Sequence, residues 1–302
     1  MEKVKFKANG CDIVGDLYKP ENASKSPAVA IVGPMTFQKA QAPTEYAKRF
    51  AELGFVALAF DPRYRGESGG EPRAWENPLH KVEDLKAAVG YLQERPDVLS
   101  DQVSIFAICQ GASIAVGAAA EISGLRALAT VSGQYRDLQG DLQWLTQPGL
   151  DARRAQGEAA KEKFLKTGVV DYVSAVDKTD MNVGMPGEFV WAWYQPWADR
   201  GLWENKYAVM SDADLLAYES ITAAGKMTTP WLMVHGENCF LPKAALRHME
   251  AVPVTTNTKL IWDSTPHFAY YDHAPSLDRA AREAADWFKS AQQEAPMPRF
   301  AL

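Results

Sequence analysis

The chain has 302 residues, of which 47% are hydrophobic and 23% charged, with a formal net charge of −6. Such a length and balance fit one large buried core or two unequal ones and exclude a disordered chain. The acidic excess argues against nucleic acid or an anionic membrane as partner, since both reward basic patches.

No apolar run approaches the roughly 18 residues of a membrane span, and the opening MEKVKFKANG lacks the apolar stretch of a signal peptide, so a cytoplasmic location is expected. Cys11, Cys109 and Cys239 are three separated thiols. Without C-x-x-C spacing or an even count they suggest neither a metal site nor a disulfide framework. No motif implies a cofactor. The expected partner is a small-molecule substrate, and a homodimer is left open.

In chain order, Lys3 to Tyr18 alternates around Asn9-Gly10, which predicts two antiparallel strands joined by a tight turn. Ala28 to Val32 reads as a buried strand, Thr44 to Leu53 as a helix stopped by Gly54, and Phe55 to Phe60 as a second buried strand. Val82, Leu85, Val89 and Leu92 fall at helical spacing before Pro96, and Ala127 to Ser132 is another short strand. Strands alternating with helices at this cadence imply a mostly parallel, doubly wound α/β sheet. The alternation then breaks between Gln134 and Met227, longer than a crossover needs. A core of residues 1–133 and 228–302 with a mainly helical inserted cap over 134–227 is therefore expected.

Within that insertion, GEFVWAWYQPWADRGLW (Gly187 to Trp203) holds four of the nine tryptophans. Two readings stand: the rings pack the insertion onto the core, or Trp191, Trp193, Tyr194 and Trp197 wall an apolar substrate pocket. The core resumes with a strand at Pro230–His235, a helix at Lys243–Glu250, a strand at Lys259–Trp262 and a helix from Leu277 to about Gln293. The closing PMPRFAL is expected to be a loosely held tail.

The stretch SIFAICQGA, Ser104 to Ala112, carries the chemistry. Val103 to Ile108 reads as a buried strand and Gly111 to Glu121 as a helix of small residues, which puts Cys109 on the sharp turn between them. A nucleophile there is held in strained backbone with its side chain clear of the sheet, and it needs small neighbours, here Ala107 and Gly111. A thiol is mostly protonated at neutral pH, so it needs a base or a positive neighbour.

The opening hairpin, alternating core, nucleophile turn, late insertion and a histidine after the last strand together resemble the α/β-hydrolase fold. More narrowly, GFVALAFDPRYRGESGGEPRAWENP, VEDLKAAVGYLQERP and FAICQGAS resemble its cysteine-nucleophile branch, the relatives of dienelactone hydrolase and polyketide transferase-type hydrolases. Ala107 departs from that branch's usual G-x-C-x-G.

The resemblance implies His267, in STPHFAYYD, as catalytic histidine and His235 as structural; His80, His248 and His273 read as surface residues. For the acid it implies Glu237 in HGENCFLP, because Cys239 stands at the usual aspartate position; Asp137 and Asp263 are alternatives, and a cysteine–histidine dyad needs no acid. It further implies an oxyanion hole from the backbone N–H of Gln110 and of Met35, with Thr36 the next choice. Phe37 and Lys39 would reach the pocket, and Arg63 and Arg65 would meet an acidic substrate group or pair with Asp61 or Glu67. The function so implied is hydrolysis of a carboxylic ester, thioester or lactone through an acyl-Cys109 intermediate, with an apolar or aromatic substrate. Acyl transfer to a small-molecule acceptor and a catalytically degenerate binding protein are the alternatives.

Overall fold

The computed structural model describes residues 1–21 and 24–291. The tail PMPRFAL and the last predicted helical residues lie outside them. Strands β1 (Glu2–Ala8) and β2 (Cys11–Tyr18) form the hairpin expected at Asn9-Gly10. There follow β3 (Ser26–Val32), α1 (Ala42–Glu52), β4 (Val56–Phe60), α2 (Pro78–Gln93), β5 (Val98–Ile108), α3 (Gly111–Ala119) and β6 (Leu128–Val131).

Between β6 and the next core strand run α4 (Leu138–Thr167), short strands β7 (Tyr172–Val173), β8 (Val176–Asp177) and β9 (Met185–Pro186), then α5 (Glu188–Asp199), β10 (Tyr207–Ala208), α6 (Ser211–Leu215) and α7 (Ile221–Ala224). Helix α4 breaks at Thr146, two residues before Pro148. The core closes with β11 (Trp231–His235), α8 (Pro242–Ala251), β12 (Thr258–Trp262), α9 (Ala269–Asp272) and α10 (Ala274–Ser290).

The eight-stranded sheet has the order β1-β2-β4-β3-β5-β6-β11-β12. It is parallel from β4 to β12, and β2 joins β4 antiparallel. Strand side chains alternate between two buried faces. Ala28, Ala30, Ile105 and Ala107 face α2, α3 and α8, whereas Val29, Ile31, Phe106 and Ile108 face α1 and α10. Phe106 packs its ring on Tyr46 at 4.4 Å and on Phe50 at 5.1 Å. Burying a side chain of that size stabilises the fold by about 1.5–3 kcal/mol. Such two-sided burial explains why the core strands read as continuous apolar runs.

Cys109 follows β5 at the carboxyl edge of the sheet, flanked by β3 and β6, where open α/β sheets place their sites. Gly111 lets α3 approach β3 closely: a Cβ there would lie 2.7 Å from both Val32 O and Gly33 O. Both obstacles are backbone, so neither can swing aside. Gly111→Ala is therefore expected to destabilise the protein by about 1–3 kcal/mol, the usual cost of overpacking, read as a lower urea midpoint with unchanged m-value.

Candidate active site

The turn after β5 holds Cys109 at φ 52°, in the left-handed region that costs a side-chain-bearing residue about 1–2 kcal/mol. Hydrogen bonds to its carbonyl from Ala112 N (2.9 Å) and Gln134 N (2.8 Å) fix the turn. The thiol is buried, and that burial pushes its pKa up; a hydrogen bond from the Tyr271 hydroxyl and the backbone N–H groups of Gln110 and Met35 pull the other way. The two backbone donors expected of an oxyanion hole thus meet at the sulfur. Thr36 is placed differently, because its N–H donates to the Glu76 carboxylate at 3.2 Å.

Glu76 is fully buried against Arg65 (3.2 Å) and Lys81, and Lys81 in turn donates to Gln110 Oε1 at 3.2 Å. Burial opposes ionisation of Glu76, but Lys81 and Arg65 outweigh it and hold the carboxyl below its ordinary range. From above, Tyr194 donates to Met35 O at 2.8 Å and Trp203 Nε1 to Thr36 O at 2.7 Å. The loop after β3 is therefore fixed from both sides.

His267 lies in the loop after β12 and lines the same cavity as Cys109. Its Nδ1 accepts from Phe240 N–H at 3.2 Å and its Nε2 faces the Tyr271 hydroxyl at 2.9 Å. A neutral ring that accepts at Nδ1 carries its proton on Nε2. Burial pushes the imidazole pKa down to about 3. Among the described residues no hydrogen bond joins Cys109 to His267 directly.

None of the expected acids meets this histidine. Glu237 is exposed, with no hydrogen bond or ion pair among the described residues, because the turn after β11 points it to solvent. Asp137 caps α4 through Gly140 N (2.6 Å) and pairs with Arg247 at 2.7 Å. Asp263 is held by Arg279 at 2.6 Å and by the Tyr270 hydroxyl. Cys239, at the position expected for aspartate, lines the cavity with its thiol pushed up to about 12 by burial.

The cavity above Cys109 has a volume of about 330 Å³, within the range of small-molecule sites. Tyr194, Phe189, Val190, Leu215, Phe240 and Phe268 form much of its wall. Of the expected pocket aromatics only Tyr194 lines it. Trp193 instead stacks on Phe268 and donates to Asp272 at 2.8 Å, Trp191 packs under Lys178, and Trp197 lies 4.1 Å from the Arg200 guanidinium. Phe37 is fully buried in the core.

The charged residues of the two loops are likewise internal. Lys39 pairs with Asp61 at 3.0 Å and with Glu67, Arg63 with Asp84 at 2.7 Å, and Arg65 with Glu76. His248 is buried too, bonded to Ser220 Oγ at 2.9 Å. Neither Tyr271 nor the Glu76 cluster was anticipated. The only mark of Tyr271 in the chain is its place four residues after His267.

Residues 13–148 match the model of the dienelactone hydrolase family. That segment is similar to a dienelactone hydrolase family domain. Over 123 residues this chain is 39% identical to the uncharacterized protein PA2218 of Pseudomonas aeruginosa, spanning 40% of this chain and 33% of that one. Over 125 residues it is 33% identical to thiohydrolase apmlB of Arthrinium phaeospermum, spanning 41% and 39%. The chain thus matches about a third to two fifths of the length of these curated relatives. Two crystal structures have the same fold: hypothetical protein PA2218 from Pseudomonas aeruginosa (TM-score 0.81, 23% identity, 96% of this chain and 93% of that one) and α/β hydrolase GrgF from Penicillium sp. sh18 (0.79, 21%, 96% and 98%). No helix among the described residues is long and apolar enough to cross a membrane.

Burial lowers the pKa of His235 to about 4 and of His267 to about 3, against an ordinary 6.5. Between those values and 6.5 the unfolded chain binds protons that the folded chain refuses, so their contribution to stability is present above 6.5 and is lost as pH falls. Urea midpoints are expected to drop less steeply from pH 7 to about pH 4.5 in His235→Gln and His267→Gln variants than in the wild type.

Proposed function

We propose that this α/β hydrolase cleaves carboxylic esters or thioesters of an apolar acyl group through an acyl-Cys109 intermediate. The observation that carries the reading is the position of the Cys109 sulfur: on a left-handed turn, against the N–H groups of Gln110 and Met35, beneath an apolar cavity. In acylation the sulfur bonds to the carbonyl carbon and the carbonyl electron pair moves onto oxygen. Each backbone donor to that oxygen is worth about 3 kcal/mol. Collapse expels the alkoxide or thiolate, which takes up a proton, and water then releases the acid and restores the thiol.

His267 handles the proton in these steps. To accept one at Nε2 its ring must first leave the Phe240 N–H, and with no carboxylate beside it the pair works as a dyad. A thioester is favoured as substrate by the relative named as a thiohydrolase and by chemistry, since exchange of one thiol for another is nearly thermoneutral. Transfer to an acceptor other than water uses the same intermediate, and the relative named polyketide transferase grgF of Penicillium sp., 37% identical over 76 residues, favours that second reading.

Incubation with p-nitrophenyl and N-acetylcysteamine acyl compounds, followed by intact-protein mass spectrometry, tests the reading. An acyl adduct on Cys109 is expected, and Cys109→Ala should lower turnover by about 10³-fold or more. Binding without turnover or adduct in the wild type would instead indicate a degenerate, ligand-holding hydrolase. Glu237→Gln is expected to keep kcat/KM within about twofold, as surface substitutions without partners usually do; a loss of about 10²-fold would restore Glu237 as the acid.

A further inference from the structure

Tyr271 lines the cavity together with both residues of the proposed dyad. It lies on the four-residue helix α9, is fully buried, and has its ring held edge-on by Trp193 and Phe268, each at 4.9 Å. The hydroxyl is 2.9 Å from His267 Nε2, and Tyr271 lines the same cavity as Cys109, whose ionisation its hydroxyl favours as a donor.

The direction of this chain follows from its far end. Phe240 N–H donates to His267 Nδ1, so the ring proton sits on Nε2 and is given to the tyrosine oxygen. The tyrosine's own proton is thereby directed to the sulfur. Three donors then converge on Cys109: the Tyr271 hydroxyl and the N–H groups of Gln110 and Met35. When a substrate carbonyl arrives, both backbone donors are required by its oxygen. Only the tyrosine remains with the sulfur.

We propose that Tyr271 is a further catalytic residue, whose hydroxyl, once the thiol proton has passed to a His267 ring released from Phe240 N–H, donates to the Cys109 sulfur and stabilises it as attacking thiolate and as the group expelled in deacylation. The inference rests on Cys109 being the nucleophile. The histidine acts on the sulfur through this hydroxyl in the resting site.

The test is the pH dependence of Cys109 alkylation by iodoacetamide, followed by peptide mass mapping so that Cys11 and Cys239 do not contribute. It needs no substrate, so it reads the thiol whether or not turnover is found. Tyr271→Phe is expected to raise the alkylation midpoint by about one pH unit, roughly a tenfold loss of reactivity at neutral pH, and to lower kcat more than it raises KM. Tyr270→Phe removes a hydroxyl from the same helix, one bonded to Asp263 and Arg279, and should leave the midpoint at its wild-type value. An unchanged midpoint in Tyr271→Phe, or an equal rise in both variants, overturns the proposal. Retained turnover in Cys109→Ala would instead overturn the acyl-cysteine reading, which the alkylation profile does not address.

Discussion

A single buried carboxylate holds the parts of the site in register. Glu76 receives Thr36 N–H from the loop after β3, pairs with Arg65 and Lys81, and through Lys81 reaches the side chain of Gln110 in the Cys109 turn. Its own N–H donates to Ser211 Oγ in the inserted region. Loop, turn and insertion therefore share one charged group with no access to solvent. Breaking such a buried network by removing one partner typically costs about 3–5 kcal/mol, because the remaining charges are left uncompensated. The arrangement also divides labour along two adjacent residues: Thr36 N–H is committed to the carboxylate, and Met35 N–H is left to face the sulfur.

The insertion completes that geometry from the opposite side. Tyr194 and Trp203 spend their polar atoms on the carbonyls of Met35 and Thr36 while their rings, 4.9 Å apart, join a small apolar core with Tyr207 and Leu215. Large aromatic rings with one polar atom suit this task, since they bury apolar area and still satisfy a backbone acceptor. Both readings of the tryptophan-rich segment thus apply to different residues. Trp203 fastens the insertion, Tyr194 both fastens it and lines the cavity, and Trp191, Trp193 and Trp197 lie outside the cavity wall.

Much of the fold was legible because local pattern and tertiary environment agree. Buried parallel strands such as β3 and β5 need apolar residues on both faces, and the Asn9-Gly10 hairpin and the Cys109 turn carry local signatures. Cys109, Gln110 and Met35 could be assigned a place because strand ends position them. What was not legible depends on pairing across the chain. Glu237 is a carboxylate near the right strand end, but a turn decides where it points, and it points outward. Arg63 and Arg65 look like substrate ligands until Asp84 and Glu76 are brought against them. Tyr271 was hidden for the same reason: an aromatic residue on a short helix is usually packing, and only the approach of β5 gives its hydroxyl a sulfur to face.

The bond from Tyr194 to Met35 O ties the cavity wall to the loop after β3. In the proposed mechanism selectivity and rate are therefore entangled at that residue: reshaping the cavity through Tyr194 also displaces the Met35 N–H assigned to the oxyanion. Phe189 and Phe240, at 67% and 36% exposure, line the cavity without a side-chain bond to that loop. A lineage diversifying its substrates could vary those two rings freely, while Tyr194 would change only together with the loop it grips.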